Sequence, residues 1–536
     1  MTWLCRQLRR AFLGFAFACS SGSGTAPVDG DVAVDARPVD ASAPPDASRP
    51  EPETGPVDRT APELALEPVR SQTTGRQLRL AGTATDDGQV SVRVEDGTRD
   101  MDAEVDDSGA FAATLRLRPG PNTLRVVAED DAGNVSDVQV EVYYGRRVSV
   151  GNSQSVFLQG DARLTWGRNE LGQLGNGTLQ GSAYGDDPET AELPARYSEA
   201  RAGVVSVVTR QTFMLALHED GRVDAWGSND EGQLGYDTVA DCGSRSDTPC
   251  SRSAGTVPGL SDVVAIEAGY DHGLALHADG TISGWGSDAL GQLARPEGAA
   301  TTAARITALT NVVELAAGVD STYALDSSGS VWAFGGNRNG QLAIGRADTE
   351  RHPAPTRVAG LSEVRAITSA NRTAYALLAD GRLMGWGQNN AGQVGNGDDT
   401  GEDVTEPAFV LTGSGEPLED VVAVAADGFV AVAQDREGQL YAWGLGALGQ
   451  LGQGLAGDGE PDLENRFSAS EVAIDDADRA AFDVVEFEVG AGGPVLALTR
   501  AGNLFGWGWS FRGSLGLEGA LDAWAYSSPL LVVAAE

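Results

Sequence analysis

The chain has 536 residues, enough for two or three domains that each bury a core of their own. Glycine supplies 70 of them, about 13% against an average near 7%, which favours turn-rich β structure over helix. A formal charge of −39 and a pI near 4.3 create a field that repels nucleic acid and anionic lipid; DNA binding is disfavoured, and solubility outside a cell accounts for the acidity.

Residues 1–18 read as an export signal. Arg6, Arg9 and Arg10 form a charged start, and AFLGFAFA (Ala11 to Ala18) is an apolar stretch too short to span a bilayer. Two cuts fit its end. Ala16 and Ala18 make a site for an ordinary signal peptidase, while AFAC resembles the lipobox of bacterial lipoproteins, with Cys19 as the acylated residue and mature N-terminus. Ala16 and Phe17 stand where that family has Leu and a small residue; a lone Cys before SSGSG favours the lipoprotein reading. Localisation is then an outer-membrane or cell-surface lipoprotein, with a secreted or periplasmic protein as the alternative. Residues 19–62, rich in Pro, Ala, Asp and Ser, cannot bury enough apolar area to offset chain entropy and read as a disordered tether.

Residues 63–146 alternate apolar and polar side chains at period two in QLRLAGTATD, VSVRVED, TLRLRPGPNTLRVVAED and VQVEVYY, with turn signals at Asp87-Gly88, Ser108-Gly109 and Pro119-Gly120. Short strands over such a length predict a β-sandwich. AGTATDD and PGPNTLRVVAEDDAGN resemble bacterial immunoglobulin-like domains, which implies a spacer role. Asp86, Asp87, Glu129, Asp130 and Asp131 are a calcium candidate beside the commoner reading of solvated strand ends.

From residue 147 to 536 one motif recurs seven times: WGRNELGQLG at Trp166, WGSNDEGQLG at Trp226, WGSDALGQLA at Trp285, FGGNRNGQLA at Phe334, WGQNNAGQVG at Trp386, WGLGALGQLG at Trp443 and WGWSFRGSLG at Trp507. Spacings of 49 to 64 residues, with several short strands per unit, mean a propeller or another repeat array. PTRV (Pro355 to Val358) and PAFV (Pro407 to Val410) each read as a strand preceding a repeat. The first repeat lacks one, and PLLV (Pro529 to Val532) is spare at the end. Pairing of that last strand with the first repeat is therefore expected to close the ring and remove its open edges.

The pattern A-G-x-x-H-x-x-A-L-x-x-D-G-x-x-x-x-W-G-x-N-x-x-G-Q-L-G resembles the repeat of the regulator of chromosome condensation family, which implies an all-β, seven-bladed β-propeller behind the immunoglobulin-like β-sandwich. The family's histidine stands here only as His272, with Ser321, Thr373 and Val430 at the matching places. Motif residues are structural on this reading: glycines for turns and close approach, Trp226 and Leu234 for the blade core, and the Gln233 amide for buried backbone groups.

Chemistry-bearing candidates are few. Cys242 and Cys250 in DCGSRSDTPCS are expected to form a disulfide in an oxidising compartment. His272 and His277 lie five apart on a strand, face opposite ways and cannot make a two-His metal pair; His218 and His277 occupy equivalent strand ends. The acidic loop Gly397 to Glu406 is a weak calcium candidate. No catalytic residue or cofactor is singled out.

Insertions at Gly177 to Tyr197, Tyr236 to Thr256, Gly397 to Glu416 and Gly452 to Phe482 are where a binding surface is expected. Trp509, Phe511, Trp524 and Tyr526 break the repeat consensus, either as anchors for a partner or as packing for ring closure. The leading function is a binding scaffold for an envelope or extracellular protein or glycan, monomeric and touching membrane only through its lipid. Secreted bacterial propellers of the same resemblance inhibit enzymes such as β-lactamases. A propeller lyase or hydrolase is one alternative; guanine-nucleotide exchange, the activity of the family's eukaryotic founder, is the other.

Overall fold

The computed structural model describes residues 58–160, 162–179, 195–197, 203–238, 240–242, 249–296, 300–454, 462–474, 482–491, 493–510, 513–516 and 525–534. The export signal, Cys19 and nearly all of the tether lie outside them. Every regular element among them is a β-strand.

Strands Glu63–Leu66, Gln72–Thr73, Gln77–Thr85, Val90–Glu95, Asp100–Val105, Ala110–Arg116, Gly120–Asp130 and Val135–Tyr144 build the N-terminal sandwich. Its last hairpin pairs in register from Gly120 opposite Tyr144 to Glu129 opposite Val135. Alternate residues of these strands point inwards. Leu80, Val92, Val94, Phe111, Leu124, Val126 and Val142 thereby meet in one core.

Beyond Gly145 the chain forms seven sheets of four strands each, the second extended by a short fifth. The third blade shows the pattern: Val263–Ala268 innermost, then His272–His277, Ile282–Gly286 and Ala300–Ile306, each antiparallel to the one before. Innermost strands read as apolar runs, as in VVAIEA and VVAVAAD, because neighbouring blades cover them from both sides. The apolar clusters lie between blades. Trp285, fully buried, packs with Leu215, Leu217, Ala225 and Leu234 of the second blade, and Trp386 packs with Tyr323, Leu325 and Leu342 of the fourth.

Ring closure departs from the sequence expectation. The last strand, Ala525–Val533, pairs with Leu504–Trp509 of its own blade, and PTRV and PAFV likewise finish the fourth and fifth blades instead of starting the next. The first blade has its own outer strand, Ala195–Tyr197. A strand lying between two repeats has a hydropathy pattern compatible with either, and the hydrogen-bond ladder decides in favour of the preceding unit. Closure is made by side chains instead: Val148, Val150, Phe157, Leu164 and Trp166 of the first blade pack with Val485, Leu496, Leu498, Leu504 and Leu515 of the last. The Glu486 carboxylate also accepts the N–H groups of Arg147 at 2.7 Å and Val148 at 3.0 Å.

Candidate functional site

The motif works as a lock between blades. Its Gln side chain accepts the amide two residues back, as Gln233 Oε1 does from Glu231 N at 2.9 Å, and its Asn caps the turn, as Asn229 Oδ1 does from Leu234 N at 2.9 Å. The turn so fixed aims the Gln main-chain carbonyl at the next blade. Trp226, Trp285, Trp386, Trp443 and Trp507 donate their indole N–H to Gln173, Gln233, Gln341, Gln393 and Gln450 at 2.9 to 3.1 Å. Across the closure Trp166 donates to Ser514, which stands at the Gln position of the aberrant last motif. Gly235 is required here: its φ is +72°, and a Cβ would lie 2.8 Å from Val257 and 3.0 Å from the Trp285 ring.

The two faces of the ring are not equivalent. One is covered by the immunoglobulin-like domain, which reaches the starts of innermost strands and the turns beside them. Tyr143 OH donates to Val205 O at 2.8 Å, Arg76 to Ala278 O at 3.1 Å and Arg500 to Ser71 Oγ at 3.0 Å. Arg70 reaches Val422 O, Gln434 Oε1 and Val485 O, and burial with the nearby Arg365 lowers its pKa to about 10, still charged at neutral pH. Gly145 allows the approach, since a Cβ there would lie 2.6 Å from Val205 O.

Buried charges run down the channel behind this seam. Arg146 pairs with Glu267 at 2.7 Å and Glu488 at 2.6 Å, joining the third and seventh blades. Arg210, from the second blade, donates to the carbonyls of Ala268, Ala317 and Ser369 and pairs with Asp427 at 2.5 Å, so one guanidinium touches four other blades. The remaining cavity, lined by Arg146, Arg210, Glu267 and Glu488 among others, is about 30 Å³, room for about one water. The channel is a braced core and not a ligand tunnel. None of these residues was singled out from the sequence; the available signal was a charge inside an apolar first strand, as in VVAIEA, VVELAA and VVEFEV.

The opposite face carries the motif turns and the turns after the innermost strands. At its centre Tyr270 OH donates to Asn371 Oδ1 at 3.0 Å and Arg372 pairs with Asp320 at 3.3 Å. Beside them Asp271 is raised to a pKa of about 6 by burial and by the neighbouring carboxylates Asp230 and Glu231, so this edge holds negative charge in excess and favours cationic groups on a ligand. The histidines are committed elsewhere. His218 meets Asp224 at 2.9 Å and His277 meets Ser261 O and Ser283. His272 is fully buried; burial and the Arg210 charge hold it neutral, with a pKa of about 3.

Of the other residues named from the sequence, Cys242 and Cys250 form a disulfide, with Cα atoms 5.9 Å apart. Trp509 ends its strand at the uncovered face and is half-buried; Tyr526, paired with Gly508, packs against the closure cluster. Phe511 and Trp524 lie outside the described residues, as do parts of three insertions. In the loop Gly397 to Glu406, Asp398 accepts Thr400 N and Asp403 accepts Asn339 Nδ2. In the sandwich, Asp130 accepts the amides of Ala132 and Asn134, Glu129 pairs with Arg93, Asp131 accepts Gln89 N, and Asp86 accepts Asp87 N. Asp131 and Asp403 thus tie neighbouring loops together, and carboxylate oxygens of Asp86 and Asp130 lie within 4.8 Å of one another and of Asp58.

A family model described as RCC1-like domain matches residues 123–492, more than half of the chain. The chain belongs to the RCC1-like domain family. A bacterial Ig domain model matches residues 61–142, in agreement with the sandwich. The RCC1-like propeller is 27% identical to the ultraviolet-B receptor UVR8 of Arabidopsis thaliana over 380 residues, 70% of this chain and 67% of that protein. It is 26% identical to the guanine nucleotide exchange factor SRM1 of Saccharomyces cerevisiae over 387 residues, 66% of this chain and 78% of SRM1. Other curated relatives are matched over as little as 3% of their length. The crystal structure of human WBSCR16 superposes with a TM-score of 0.57 at 22% identity, over 69% of this chain and 94% of that one, a likeness of fold.

Proposed function

We propose that this RCC1-like chain is an exported, lipid-anchored bacterial surface protein whose propeller binds a protein or glycan partner on the face that the immunoglobulin-like domain leaves uncovered. The observation that carries this reading is the asymmetry of the two faces. One is occupied from within the chain and its channel is filled; the other presents the motif turns, Trp509, the carboxylates around Asp271, and the loop Gly397 to Glu406. Loops held by a rigid ring suit recognition. The charged start, apolar stretch and Cys19 of the sequence support export and anchoring.

A photo-crosslinking side chain placed at Glu231 or Asp399, both exposed on the uncovered face, is expected to capture one envelope species, and the same group at exposed Arg436 on the other face to capture none. Equal capture from Arg436 overturns the assignment of the face. Cys19→Ala is expected to release the protein from the membrane fraction, and its retention there overturns the anchor. The similarity to SRM1 favours one second reading, nucleotide exchange, which faster nucleotide release from a small GTPase in the presence of the purified chain would select.

A further inference from the structure

In the channel behind the seam, acid outnumbers base. Arg146, Arg147 and Arg210 face Glu267, Glu314, Glu486, Glu488 and Asp427. Four of these carboxylates have a guanidinium within 4 Å; Glu314 has none among the described residues. Glu314 projects from the innermost strand of the fourth blade, Val312–Ala317, into a second cavity of about 30 Å³. The sandwich supplies part of its wall through Thr74, Pro119 and Tyr144, and the ring supplies Ile266, Glu267 and Leu315. Glu314 stays partly accessible, and the sandwich forms part of the wall that screens it from bulk water.

We propose that Glu314 is a proton-operated latch: protonated, it lets the immunoglobulin-like domain sit closed over the channel, and deprotonated, it favours lifting of that domain from the ring. The groups that face it are Glu267 from the third blade, Arg146 from the connecting segment, Tyr144 from the sandwich with Arg76 behind it, and the Ile367 amide of the fifth blade, which donates to it. Burial first, and then the like charge of Glu267, raise its pKa to about 8 against the restraint of the Ile367 amide and Arg146. A seated sandwich therefore holds the proton well above the pH at which a solvated glutamate loses it. The sign follows from linkage: the stabilisation is complete below the ordinary glutamate pKa and is lost as pH rises through about 8.

The test is amide exchange on the full chain, read as protection factors at Val207, whose N–H donates to Arg146 O in the segment that joins the sandwich to the ring, with Leu274 inside the third blade as control. Between pH 6 and 9 protection at Val207 is expected to fall about tenfold or more, the response to a pKa difference of at least one unit, while Leu274 holds. Glu314→Gln, neutral at every pH, is expected to keep Val207 protected at pH 9. A flat wild-type profile overturns the latch, and so does an equal fall in Glu314→Gln. Glu488, paired with Arg146 in the same channel, is itself raised to about 7, so if Glu314→Gln loses protection at Leu274 and fails to fold, Glu314→Ala takes its place and must likewise keep Val207 protected at pH 9.

Discussion

Between the second and third blades the Gln233 carbonyl is met by the Trp285 indole, whereas at the closure the Ser514 carbonyl is met twice, by Trp166 Nε1 at 2.9 Å and by Ser155 Oγ at 2.8 Å. The seam into the fourth blade shows a third solution. Phe334 has no N–H to give, and Thr322 Oγ1 donates to Gln292 O at 2.8 Å in its place. What each seam preserves is a satisfied carbonyl at the motif turn together with a buried ring over it; the identity of the donor is free to change. A carbonyl buried without a donor costs about 1 to 3 kcal/mol, enough to explain why a lost indole is replaced and not merely tolerated.

Four substitutions separate the ring's contribution from the donor's. Trp386→Ala removes the ring and its N–H, while Tyr323 O–H still serves Gln341 O at 2.8 Å, and a loss of about 3 to 5 kcal/mol in urea unfolding is expected from the cavity left beside Tyr323. A loss below about 1 kcal/mol would show that the fourth and fifth blades do not depend on this seam. Thr322→Val keeps the packing and strips the donor from Gln292 O, for an expected cost of about 1 to 3 kcal/mol in the same measurement. Trp166→Phe is the mildest. Ser155 still serves Ser514 O, so the cost is expected to stay below about 1 kcal/mol, rising when Ser155→Ala is added; simple additivity of the two would mean that the carbonyl is not shared.

The blades could be read from the sequence because each is announced by a version of one ten-residue motif, whose glycines and aromatic ring have one structural use. The sandwich was legible for a similar reason, since PGPNTLRVVAED alternates cleanly against its hairpin partner. Strand ownership was not legible: PLLV carries no mark of the neighbour to which it hydrogen-bonds. Nor were the channel charges, because Arg146, Glu267 and Glu488 meet only after the ring has brought widely separated segments together. The Asp271 edge was hidden in the same way, its carboxyl being perturbed by residues of another blade.

Synthesis runs from the sandwich towards the last blade, and this gives the Arg146–Arg147 segment a temporal meaning. The amide of Arg147 finds its Glu486 acceptor 339 residues further along, and Arg146 reaches its second carboxylate two residues beyond that. While the chain is being made, each blade can assemble from its own contiguous strands, but Arg147 has no carboxylate and Arg146 has only Glu267 until the seventh innermost strand arrives. A chain that stops short keeps a basic spot on an otherwise acidic surface, so the finished molecule differs from its truncated versions in charge as well as in shape.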